Sequence, residues 1–123
     1  MIIAARFIPT AILFLVIIGF GIWVSRLGKP YNGLLFNIHK LIALGVVILT
    51  AVRLFRLDPL ATFPTTVLIL IGLAVIFVII LFATGAVMSI QDAVKWIFQW
   101  IHGISAVVIT ISLAAALFLL MQS

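Results

Sequence analysis

The chain contains two histidines, His39 and His102, and each stands just inside the start of a long apolar run. An ionisable or metal-binding side chain in such a run is costly, so it calls for a named partner. Neutral imidazole is a good ligand for iron, copper or zinc. Two imidazoles alone make a poor zinc site, because zinc takes at least three protein ligands. They are, however, a complete axial set for one six-coordinate haem iron. The absence of cysteine removes iron–sulfur ligation, thiolate zinc sites and covalent attachment through C-x-x-C-H. Any haem here is therefore a non-covalent haem b, one per chain. Hydrolytic chemistry lacks its parts: no carboxylate is placed to orient either histidine in a triad, and Asp92 lies nearly three turns from His102.

Composition sets the solvent around these residues. Of 123 residues, 67% are hydrophobic and 7% charged, whereas a soluble domain carries about 25% charged residues. The solvent is lipid, and the length leaves room for one domain, 1–123. No linker, low-complexity tract or internal sequence repeat stands out. The net charge of +5 comes from basic residues scattered over short connections. They form no stripe or patch, so nucleic acid is not an expected partner, and they read as anchors in lipid headgroups.

Four apolar segments predict an all-α, integral membrane, up-down-up-down four-helix bundle, with helices at about 7–24, 34–54, 65–88 and 90–121. Each run has about the 20 apolar residues that cross a bilayer. Runs this continuous are helices rather than barrel strands, and short connections make neighbours antiparallel. Pro9 falls in the opening turn of the first helix, which is expected to be retained rather than cleaved as a signal segment. Gly72 and Gly85 read as points where a neighbouring helix comes close. Ser89-Ile90-Gln91-Asp92 has the spacing of a capping box, which would start the fourth helix near Ile90. Trp96 and Trp100 follow as an interfacial aromatic pair. The basic residues divide evenly between the two sides, so the positive-inside rule assigns no orientation.

In such a bundle the second and fourth helices run parallel. His39 and His102 then fall at similar depth near one membrane face, facing each other across a flat ring. Ala43 and Ala106 lie one turn below the two histidines on the same faces and leave room for that ring. Phe36 and Phe98 would pack on its edge. Lys40 and Lys95 are placed to reach its carboxylates at the interface by snorkelling. Ser105 or a backbone carbonyl would orient the second nitrogen of a ligating imidazole.

The segment His39-Lys40 through Gly45 to Arg53 resembles the second helix of small bacterial four-helix membrane b-type cytochromes. These are the bis-histidine cytochromes that include the cytochrome b subunits of membrane hydrogenases. Trp100-Ile101-His102-Gly103-Ile104-Ser105-Ala106 resembles the last ligand helix of that group. The resemblance implies electron transport in a bacterial or archaeal cytoplasmic membrane, with a redox partner or larger complex and a quinone as candidate partners. The group commonly uses four histidines for two haems, whereas this chain has two, enough for one. The residues point to an electron carrier rather than a stand-alone enzyme. Proton-coupled transport of the small multidrug type needs a carboxylate inside the membrane; the chain has no glutamate, and Asp58 and Asp92 fall in connections. A second reading is a cofactor-free structural or assembly subunit of a larger respiratory or photosynthetic complex.

Overall fold

The computed structural model describes residues 2–28, 32–57, 62–90 and 96–122. Among these the protein is all-helical, with α1 Ile2–Arg26, α2 Gly33–Phe55, α3 Thr65–Ile90 and α4 Trp96–Gln122. All four are long and apolar enough to cross a membrane. At about 1.5 Å rise per residue, even the 23-residue α2 spans roughly 35 Å, more than the ~30 Å of bilayer hydrocarbon.

Local chemistry sets the helix ends. Helix α1 begins well before the expected start at 7, so Pro9 lies inside it rather than in its first turn. The missing proline N–H costs one intrahelical bond, a defect that transmembrane helices tolerate. The chain leaves α1 through Gly28, whose φ of 84° is the left-handed conformation that glycine adopts without a Cβ penalty. Helix α2 opens on Asn32, whose side chain accepts from the backbone N–H of Leu34 and Leu35 at 3.0 and 3.2 Å. This satisfies two of the donors that a helix start leaves without partners. Arg53 stands in its last turn, where a cation meets the negative end of the dipole. Helix α3 runs without a break through Thr84-Gly85 to Ile90. The expected cap at Ser89 is not formed: the residue lies in the last turn of α3, where its hydroxyl donates to the Ala86 carbonyl at 2.8 Å. The remainder of that expected capping box, at 91–92, lies outside the described residues.

The helices form two compact units, 1–62 and 63–123. In the first, α1 packs on α2. Phe7, Thr10, Ile17 and Val24 are its buried residues on α1, and Phe36, Val46, Thr50 and Leu54 those on α2. The α1 set steps by three, then seven, then seven, a narrow seam of the coiled-coil kind. In the second unit, α3 packs on α4 through Val67, Ala74, Thr84 and Met88 against Ser105, Ile109, Ser112, Ala116 and Leu120. Small residues at mid-seam let the backbones approach, which is how helices gain packing energy where lipid removes the hydrophobic drive. The other faces are as apolar as the seams: Leu15, Leu41 and Ile79 are 70%, 69% and 64% exposed. Helices apolar all round are what a membrane solvent requires.

Several hydroxyl groups in these helices bond back to their own backbone. Thr50, Ser105 and Thr110 donate to the carbonyls of Val46, Ile101 and Ala106, at 2.7, 2.7 and 2.8 Å. Bonds of this kind remove the cost of a bare buried donor.

Candidate functional site

His39 stands six residues after the start of α2, and His102 six residues after the start of α4. Both are half-buried. Each is held by the preceding helix of its own unit, but by different contacts.

His39 lies against the last turns of α1. Its ring stacks on Phe20, with centroids 6.1 Å apart and planes within 13° of parallel, and Phe20 in turn meets Trp23 edge to face at 5.4 Å. The imidazole edge sits in the gap left by Gly21: a Cβ there would lie 2.9 Å from His39 Cε1. Lys40 folds back along α2, its Nζ 4.9 Å from the centre of the Phe36 ring. That cation–π contact carries the ammonium toward the N-terminal end of α2, the direction snorkelling requires.

His102 lies against the end of α3. Its Nδ1 is 3.0 Å from the Leu81 carbonyl oxygen and 3.0 Å from Thr84 Oγ1. Thr84 also lies 2.8 Å from the Ile80 carbonyl. A carbonyl can only accept, so with the proton on Nδ1 the ring donates to Leu81 and the Thr84 hydroxyl donates to the Ile80 carbonyl, whereas with the proton on Nε2 the Thr84 hydroxyl donates to Nδ1. The first of these tautomers leaves the ring's lone pair on Nε2. Both a backbone carbonyl and the Thr84 hydroxyl thus stand within hydrogen-bond distance of Nδ1. Ser105 is instead engaged with its own helix. Gly85 lies beside the same ring, where a Cβ would be 3.3 Å from His102 Cε1.

Of the other predicted residues, Ala43 and Ala106 are half-buried, one turn after each histidine on α2 and α4. Phe98 is half-buried and Phe36 buried. Trp96 and Trp100 are exposed. Lys95 lies outside the described residues. No cluster of three or more metal-ligating side chains occurs among the described residues, so a zinc-type site has no donor set there. Within the α3–α4 unit a Cβ at Gly72 would meet nothing within 4 Å among the described residues, so α4 does not come close there.

The sequence reading missed Phe20, Gly21, Leu81 and Thr84 as the surroundings of the histidines. A faint signal was present. Gly21 and Gly85 are each followed four residues later by serine, and His39 and His102 are each preceded by isoleucine and followed four residues later by alanine. Comparison with family models, curated proteins and solved structures gives no match to the chain.

Proposed function

We propose that the protein is a membrane electron carrier that holds one haem b with His39 and His102 as axial ligands, its four helices ordered up-down-up-down in the bilayer. The observation that carries this reading is the hydrogen bonding of His102. An Nδ1 tied to a carbonyl, with the lone pair on Nε2, is the state in which a histidine ligates iron, and such an outer partner fixes the ring and raises its basicity. The donor set also fits the group: two imidazoles at equivalent places on two helices, no thiol, and an alanine one turn beyond each. Lys40 and Lys95 are the candidates for the propionates, and Ala43 and Ala106 give the ring room. Bound there, the iron would take up and release one electron. A quinone or a partner protein in a larger membrane complex is the proposed source or acceptor of that electron.

A second reading is supported by the same bonds. The contacts of His102 with Leu81 and Thr84 fasten α4 to α3, and exposed apolar faces suit packing beside larger subunits. In this reading the protein is a cofactor-free structural subunit. Colour separates the two. Protein purified from haem-replete cells is expected to be red, with a sharp band on reduction that is lost in both His39→Ala and His102→Ala. A colourless, folded preparation refutes the haem reading, and retention of haem after either single change refutes the two-histidine ligation.

A further inference from the structure

The two helix pairs hold their histidines in one common manner. Gly21 lies five residues before the last residue of α1, and Gly85 five before the last residue of α3. Each faces a histidine six residues into the following helix. A Cβ at Gly21 would meet His39 Cε1 at 2.9 Å and both ring nitrogens at 3.6 Å; one at Gly85 would meet His102 Cε1 at 3.3 Å and Nδ1 at 3.7 Å. At Gly19, Gly33, Gly45, Gly72 and Gly103 a Cβ meets nothing within 4 Å among the described residues. Close approach to an imidazole thus separates two of the helical glycines from the other five.

We propose that Gly21 and Gly85 are positioning residues, each a notch that sets the rotamer and reach of the imidazole beside it, and that the chain is a tandem of two such glycine–histidine clasps. The clasp is a property of each helix pair. Its consequence for a bound group rests on the haem reading above. Carbon atoms in contact sit about 3.5–4.0 Å apart, so an added methyl at Gly21 forces the ring edge outward by about 0.5–1 Å. The ring is the end of a side chain with two torsions, so it turns before the backbone moves. A ligand constellation tolerates only about 0.5 Å of such error. At Gly85 the overlap is smaller, and His102 is held by Leu81 and Thr84. The expected order of effect is therefore Gly21→Ala above Gly85→Ala, with Gly19→Ala and Gly103→Ala near zero.

The test uses the full chain with 15N-labelled histidine in lipid nanodiscs, prepared with and without haem. Without haem, long-range 1H–15N spectra are expected to show the His39 ring signals moving in Gly21→Ala and the His102 signals in Gly85→Ala, with both unmoved in Gly19→Ala and Gly103→Ala. With haem, the two notch variants are expected to retain it about 10-fold less tightly, the scale of effect for groups that orient a ligand, and to show altered low-spin spectra. Ring signals unmoved in both notch variants overturn the proposal. A colourless wild-type protein defeats the haem reading alone, and the ring signals still decide the clasp. Should Gly21→Ala prevent folding, the Gly21→Ala/His39→Ala double variant must fold as His39→Ala does, because the clashing ring is gone. A double variant that also fails to fold overturns the assignment.

Discussion

Thr84 Oγ1 and His102 Nδ1 lie 3.0 Å apart across the α3–α4 interface, with the Leu81 carbonyl at the same distance from that nitrogen. One residue thus receives both kinds of oxygen a helix can offer, a backbone acceptor and a hydroxyl that can point either way. The carbonyl can only accept and so favours a proton on Nδ1, while the hydroxyl suits either tautomer, donating to Ile80 in that one and to Nδ1 in the other.

Thr84→Val tests that division of labour. The substitution keeps the shape and removes the hydroxyl, leaving the Leu81 carbonyl in place. The expected cost to the α3–α4 pair is about 0.5–1.5 kcal/mol, the range for interhelical polar contacts in membranes, read from unfolding in mixed micelles. The His102 Nδ1–H signal should persist. Its replacement by an Nε2–H signal would show that Thr84, rather than Leu81, sets the tautomer.

Thr10→Val is expected to act in the opposite direction. Thr10 is 3% exposed in the α1 seam, and its hydroxyl has no hydrogen-bond partner among the described residues, unlike that of Thr50 in α2. A buried donor without a partner costs about 1–3 kcal/mol, so an isosteric apolar side chain should leave the α1–α2 pair as stable or more stable by up to about 2 kcal/mol. A clear loss of stability on the same micelle assay would show that the hydroxyl is engaged in the bilayer.

The contrast between these two threonines shows where sequence reading stops. Four helices were legible because each is one long apolar run, of a length that can cross a membrane, and the histidines because they are rare in such runs. The end of α3 was misread: Ser89 and Asp92 have cap spacing, but a serine can equally bond back to its own helix, and only the backbone path decides between them. Likewise, Gly72 and Gly85 look alike in an apolar run. Which one faces a ring depends on helix rotation, and helices apolar on every side carry no amphipathic pattern from which to read it. Thr84 was invisible for the same reason, since its role depends on a carbonyl three residues away.

Asn32 gives a check on local structure that is independent of the histidines. Its side chain caps two backbone N–H groups at the start of α2, seven residues before His39. Asn32→Ala is expected to destabilise the α1–α2 pair by about 1 kcal/mol, and Asn32→Asp to restore it, since both Asn and Asp cap well. Equal losses in the two variants would mean that the amide serves something other than the cap.

The chain's lack of cysteine makes the proposed membrane order directly measurable, since every introduced thiol reports alone. In an up-down-up-down arrangement the end of α1 lies on one side, and the ends of α2 and α4 lie on the other. Leu27→Cys should therefore react with a membrane-impermeant maleimide from the side opposite to Leu57→Cys and Gln122→Cys in sealed vesicles. Leu15→Cys and Ile79→Cys occupy strongly exposed apolar positions within α1 and α3. They should stay unlabelled from both sides, because maleimide needs a thiolate and hydrocarbon suppresses ionisation of the thiol. Labelling of Leu27→Cys and Leu57→Cys from the same side would exclude the up-down order. Labelling of Leu15→Cys or Ile79→Cys in intact vesicles would place water, rather than lipid, against those faces, and the four helices would then need another account of their apolar surface.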